Sequence, residues 1–126
     1  MSIVNRNYNL MQKGLDALWL RQKVISSNIA NISTPGFTAS EVEFEDLFLE
    51  IMQSGEDRKT INRMVSELEP QIVEDQTTPI NENGNNVDID KQNVEMVRTT
   101  LAYQTVTRLM ADEISREKYA INEGRR

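Results

Sequence analysis

Apolar residues at Val4, Tyr8, Met11, Leu15, Leu18, Ile25, Ile29 and Ile32 advance by alternating fours and threes, with Gln22 as the one polar interruption. That spacing marks one face of a helix and predicts a helix over residues 3–32. At 1.5 Å per residue such a helix is about 45 Å long. A chain of 126 residues packed as a sphere has a radius of gyration of roughly 14 Å and a diameter of about 36 Å. One straight helix therefore overshoots the globule. Trp19, Leu20 and Val24 widen the stripe beyond a single seam, so the helix has apolar surface for more than one neighbour. Gly14 costs about 1 kcal/mol relative to Ala in a helix interior, leaving the first turns prone to fray without a partner.

The helix runs into Ser27-Asn28-Ile29-Ala30-Asn31-Ile32-Ser33-Thr34-Pro35-Gly36-Phe37. Pro35 has no amide hydrogen and biases Thr34 away from helical dihedrals, while Gly36 takes a positive φ at little cost, so the chain must turn here. Asn28, Ala30 and Asn31 place small and amide-bearing side chains on the last turns, where another chain can approach closely. Residues 37–42 follow as a short extended link, and Ser40-Glu41-Val42-Glu43 has the spacing of a capping box. Phe44, Leu47, Phe48 and Ile51 recur at helical spacing up to Gln53, with Gly55 placed to end the turn. From residue 56 to 86 the pattern weakens. Residues 60–68 fit helix or strand, residues 71–73 fit a short strand, and Pro70 and Pro79 break regular structure. Residues 81–86 form a polar turn cluster. This middle is expected to be the most mobile part, with room for a small β-hairpin.

Asp88 or Asp90 then supplies an N-cap, and Val94, Val97, Leu101, Val106, Leu109, Met110, Ile114 and Ile121 mark a broad face of a second helix over residues 89–123. It would be about 52 Å long. The five-residue step from Leu101 to Val106 makes the seam drift around the helix, which favours several partners over a two-stranded coil. The expected fold is mainly α. Two long terminal helices pack as an elongated coiled-coil-like hairpin, joined by a short helix and a weakly structured insert. Residues 1–33, 34–86 and 87–126 are the N-terminal helix, the joint with its insert, and the C-terminal helix of one assembly domain. The helix-packing candidates are Met11, Leu15, Leu18, Ile25 and Ile29 on the first helix and Val94, Val97, Leu101, Val106, Met110 and Ile114 on the second. Trp19, Leu20, Val24, Tyr103 and Tyr119 are left over for neighbouring copies or partner proteins.

Composition argues against chemistry. The chain has no cysteine and no histidine, which removes thiolate nucleophiles and the commonest general base and metal ligand. Ser26, Ser27 and Ser33 have no base to activate them. A net charge of -6 makes nucleic acid an unlikely partner, because phosphate-backbone affinity comes from Lys and Arg. Glu41, Glu43, Glu45 and Asp46 read as residues favoured at a helix start, and Glu67, Glu69, Glu74 and Asp75 as a polar linker. A calcium loop beginning at Asn83 fails because Val94 stands where an EF-hand needs its last glutamate. No enzyme activity, cofactor, metal or small-molecule substrate is expected. The N-terminus contains no apolar core of the length a secretory signal needs, and no stretch approaches the roughly 20 apolar residues that span a bilayer. Export, if it occurs, is expected without a cleaved signal.

Ala30-Asn31-Ile32-Ser33-Thr34-Pro35-Gly36-Phe37 closely resembles the signature that ends the first helix of bacterial flagellar axial proteins of the rod and hook class. Gly84-Asn85-Asn86-Val87-Asp88-Ile89-Asp90 and the ending Ala120-Ile121-Asn122-Glu123-Gly124-Arg125-Arg126 are similar to the basal-body rod family, in its proximal subclass. Asn83 and Asn122 depart from residues common in that family. The resemblance covers roughly residues 10–53 and 80–126. It implies a structural subunit of the proximal rod, exported through the flagellar type III apparatus and polymerising through its terminal helices into a torque-transmitting shaft. The implied location is the basal body, on the periplasmic side of the inner membrane. The implied partners are other copies of the chain, FlgC-like rod proteins, a FliE-like adaptor and the membrane ring. Asn28, Ala30, Asn31, Thr34, Pro35, Gly36 and Phe37 are then expected to form an assembly motif. The alternatives are another, FlgC-like rod subunit, or a cytoplasmic coiled-coil adaptor or chaperone. The latter explains the long helices but not the Thr-Pro-Gly-Phe ending.

Overall fold

A computed structural model describes the backbone of residues 3–124 and the side chains of residues 8–124. In chain order it contains α1 (Ile3–Ala30), β1 (Ser40–Glu43), α2 (Glu45–Met52), α3 (Arg58–Glu67), β2 (Gln71–Glu74) and α4 (Ile89–Glu123). The fold is mainly helical, with α1 and α4 packed along each other and a two-stranded antiparallel sheet in the middle. The long helices run antiparallel. Asn28 near the end of α1 bonds Gln92 near the start of α4. Near the start of α1, the Tyr8 phenol is pushed up by desolvation and by the Glu117 and Glu113 carboxylates late in α4. The helical tips expected at residues 1–2 and 125–126, and the Val4 side chain of the stripe, lie outside the described residues. No helix among the described residues is long and apolar enough to cross a membrane.

The span of α4 is the one its spacing predicts. Asp88 is the cap, its carboxylate accepting from the backbone N–H groups of Asp90 and Lys91, two of the donors that a helix start leaves without partners. α1 ends at Ala30, a little short of Ile32. The middle differs more. Ser40-Glu41-Val42-Glu43 caps no helix but forms β1, and α2 begins behind Phe44 with no side-chain cap. The same letters also spell strand alternation: Val42 and Phe44 are buried while Glu41 and Glu43 are exposed. Residues 60–68 resolve in favour of helix, since α3 starts at Arg58 with the Asp57 carboxylate accepting from the Thr60 N–H. β2 pairs with β1 from Ser40↔Glu74 to Glu43↔Gln71. This is not a local hairpin, because α2 and α3 lie between the two strands.

Two faces of α1 are covered by different parts of the chain. Lys13, Ala17, Arg21 and Asn28 form the face toward the insert. The Lys13 ammonium donates to the Leu68 carbonyl at 2.9 Å and to Glu69 at 3.0 Å, at the carbonyl-rich end of α3. Ala17 packs with Phe44 and Leu68, and Leu47, Phe48 and Ile51 close over them. The Arg21 guanidinium donates to both Glu45 oxygens, at 2.7 and 2.6 Å, and to the Val42 carbonyl at 3.0 Å. The apolar stripe lies about a third of a turn away. Its members Leu18 and Ile25 are buried where α1 runs along α4, with Met11, Leu15 and Ile29 half-buried. Val24, counted as surplus from sequence, is buried too.

On α4 the inner face mixes buried polar and half-buried apolar side chains. Gln92 and Thr99 are buried, and Met96, Val106 and Met110 are half-buried on the same side. Val94, Val97 and Leu101 are 50%, 59% and 58% exposed. Helical periodicity puts those three on the side of α4 facing away from α1. Ile114, further along, is 41% exposed.

Candidate functional site: the asparagine-held joint

Pro35 and Gly36 turn the chain as their backbone chemistry requires, Gly36 at φ 72. Three buried asparagines fix the direction of the turn. The Asn28 amide nitrogen donates to the Ser40 carbonyl at 2.9 Å and to Gln92 Oε1 at 3.0 Å, and its oxygen accepts from the Ser40 N–H at 3.0 Å. One side chain thus joins α1, β1 and α4. The Asn85 amide donates to the carbonyls of Asn31 and Thr34, both at 2.8 Å, and accepts from the Val87 N–H at 2.7 Å. It supplies partners that the end of α1 would otherwise lack. The Asn86 oxygen accepts from the Ala39 N–H at 2.6 Å while its nitrogen donates to the Asp75 carbonyl at 2.9 Å. Among the described residues no buried side-chain nitrogen or oxygen lacks a hydrogen-bond partner.

The turn at residues 81–86 meets the Pro-Gly turn backbone to backbone. The Gly36 N–H donates to the Asn83 carbonyl at 2.9 Å. Gly84, at φ 81, lies so close that a Cβ there would stand 3.3 Å from the Gly36 Cα and 3.5 Å from its nitrogen. Two glycines from separate sequence motifs thus share one contact.

An ion pair closes the far side. Lys91 donates to Asp75 and to Glu41, each at 2.8 Å, and to the Thr78 hydroxyl at 3.2 Å. The Asp75 carboxylate also accepts from the Thr77 and Thr78 N–H groups and from both threonine hydroxyls. Burial opposes ionisation of Asp75, whose side chain is 1% exposed, but Lys91 and the two threonines outweigh it and hold the carboxyl well below the usual range. Burial likewise pulls the Lys91 ammonium down, and its hydrogen bonds to Asp75 and Glu41 overcome this and raise it. Every carboxylate here is occupied by donors. The arrangement holds geometry; among the described residues no three His, Cys, Asp or Glu side chains are placed to hold a metal ion.

Of the residues singled out from sequence, Asn28 is buried inside the joint, Asn31 and Phe37 are half-buried, and Ala30, Thr34, Pro35 and Gly36 are exposed. Asn31 and Thr34 bond each other side chain to side chain at 3.1 Å. The structure brings this motif together with Asn85 and Asn86, which the sequence reading quoted for the resemblance but placed in a polar turn, and with Gln92, which it did not single out. Asp75 and Lys91 were missed as well. An aspartate followed by Thr77 and Thr78 carries the signature of a side chain folding onto its own backbone, the one available signal.

The family described as flagella basal body rod protein matches residues 11–38, which contain most of the apolar stripe and all of the Pro-Gly turn. The flagellar basal body rod protein FlgB of Borreliella burgdorferi is 35% identical over 125 residues, covering 88% of this chain and 92% of that protein. The Bacillus subtilis protein of the same name is 31% identical over 129 residues, covering 99% of this chain and 100% of its own length. The Escherichia coli FlgB is 26% identical over 115 residues, 82% of this chain and 83% of that protein. Likeness over nearly the full length, through the joint and both long helices, shows that the chain belongs to the FlgB family of flagellar basal body rod proteins.

Proposed function

We propose that this basal body rod protein is a subunit of the proximal rod, polymerising through α1 and α4 so that torque passes along packed helices. The observation that carries this reading is the row Val94, Val97 and Leu101, exposed on the side of α4 turned away from α1. With side chains three and four residues apart, it is a helix-packing face without a partner among the described residues. Trp19, Tyr119 and Ile121 add further exposed apolar surface on the same two helices. At about 42 and 52 Å, α1 and α4 exceed the width of a globule of this mass, and neighbours that bury their faces stabilise the folded form by mass action.

In this reading Met11, Leu15, Leu18, Ile25 and Ile29 keep α1 against α4, aided by Val106 and Met110, while Val94, Val97, Leu101 and Ile114 meet neighbours. Ala30, Asn31, Thr34, Pro35, Gly36 and Phe37 offer the joint's outer surface to the next subunit, and Asn28 holds its shape from inside. The neighbours are further copies, FlgC-like rod proteins, and a FliE-like adaptor at the membrane ring. The chain reaches the periplasmic side through the flagellar type III apparatus without a cleaved signal. The test is Val97→Glu in cells carrying it as their only copy. The expected result is a chain that is exported but absent from detergent-washed basal bodies, with motility lost. Normal motility with normal retention would overturn the assignment of this face.

A further inference from the structure

The insert carries its charges in two blocks. Between Lys23 and Arg58 the sequence has no lysine or arginine but seven carboxylates, Glu41, Glu43, Glu45, Asp46, Glu50, Glu56 and Asp57; then Arg58, Lys59 and Arg63 arrive together. Of the carboxylates on α2, Glu45 is taken by Arg21. Among the described residues Asp46, Glu50, Arg58 and Lys59 form no ion pair, and Arg63 has only Glu67, at 3.8 Å.

These charges frame apolar surface of matching kind. α2 turns Leu47, Phe48 and Ile51 inward, which leaves Leu49, 50% exposed, on its outer face with Asp46 and Glu50 along one flank. Between α1, α2 and α3 lies an open groove of about 1040 Å³ with a floor of Leu10, Phe48, Met52, Ile61 and Val65. Arg58, Lys59 and Arg63 stand on its rim. One surface is an apolar side chain with carboxylates along one flank, and the other is an apolar trough whose rim carries Arg58, Lys59 and Arg63 against a single carboxylate, Glu56.

We infer that the groove between α1, α2 and α3 receives the outer face of α2 from a second copy of this chain, Leu49 entering the trough while Asp46 and Glu50 meet Arg58, Lys59 and Arg63. The two surfaces are different patches of the chain, so the contact is head-to-tail. A copy whose groove is filled still offers its own Leu49 to a third copy, so the contact can be passed from copy to copy. Apolar burial at the centre supplies attraction, and the charge rim selects register and partner. The inference rests on the proposed role as a self-assembling rod subunit.

Because the chain has no cysteine, thiol crosslinking in isolated basal bodies tests the contact directly. Chains with Leu49→Cys and chains with Asn62→Cys, a groove-lining position, are produced together in one cell and oxidised. The expected result is a crosslinked pair of twice the chain mass, absent when either variant is present alone. Adding Asp46→Lys and Glu50→Lys to the first chain should lower the crosslinked fraction at least tenfold. Adding Arg58→Glu and Lys59→Glu to the second should restore it, which excludes simple misfolding. No crosslink between chains that are retained in basal bodies, a crosslink indifferent to charge reversal, or a crosslink to a protein of another mass overturns the contact while leaving the rod role intact. Absence of the unsubstituted chain from basal bodies overturns the rod role itself.

Discussion

The Asn28 side chain donates to Gln92 Oε1 at 3.0 Å, and both residues are almost wholly buried, at 1% and 3% exposure. Asn28 is the better connected of the two, since it also bonds both backbone groups of Ser40. Asn28→Ala should therefore destabilise more than Gln92→Ala, at about 1–3 kcal/mol for each buried group left without a partner. Urea unfolding of both single variants and the double variant measures this. A coupling of about 1 kcal/mol or more is expected from the cycle.

Gly84→Ala should cost more than Gly55→Ala, although both glycines have positive φ, 81 and 77. A Cβ at Gly55 meets open space, whereas one at Gly84 presses on the Gly36 Cα at 3.3 Å. The strained dihedral alone costs about 1–2 kcal/mol, and the backbone contact adds to it only at Gly84. Thermal melts of the two variants should separate by several degrees, with Gly84→Ala the lower.

Asp75 gives stability a defined acid limb. Its pKa in the folded chain lies below the ordinary carboxylate value of about 3.9. A depressed pKa means that the unfolded chain binds the proton first as pH falls, so the contribution is complete above about pH 5 and declines below about pH 4. Asp75→Asn removes the pair with Lys91 and should be less stable at pH 7. Its stability should also fall less steeply than that of the unsubstituted chain between about pH 4 and pH 2. Denaturant titrations at a series of pH values provide the check.

Leu18→Glu and Val97→Glu should part company in the isolated chain. Leu18 is 8% exposed and Val97 59%, so a carboxylate at Leu18 must be buried without a partner or force α1 away from α4. Several kcal/mol should be lost there, against about 0.5 kcal/mol or less at Val97. Circular dichroism with urea reads the difference.

The long helices were legible because a three-four spacing sustained over many turns, despite Gln22 and the step from Leu101 to Val106, leaves few other conformations, and Asp88 with the Pro-Gly pair marks their boundaries. What escaped was polar. Gln92 and Thr99 face inward while Val94, Val97 and Leu101 face out, and a hydropathy pattern assigns the inner face to whichever side is more apolar. That rule inverts where α1 offers an amide rather than a methyl group. Asn85 and Asn86 look the same on paper in a solvated turn as in a buried joint, since both uses exploit an amide's fit to backbone groups. β1 offers only Val42 as a buried residue, and its partner β2 lies far along the chain, beyond the reach of a local pattern.

The register of the small sheet has a consequence for how the protein can be altered. Glu43 and Gln71 are partners, so everything between them leaves and returns through a doorway about 5 Å wide. The helices beyond that doorway stay fastened to α1 through Ala17, Arg21 and Lys13, so the stretch free to change length is the polar loop between them. A reporter domain spliced into the polar loop at residues 53–57, between α2 and α3, would ride on the frame as a passenger.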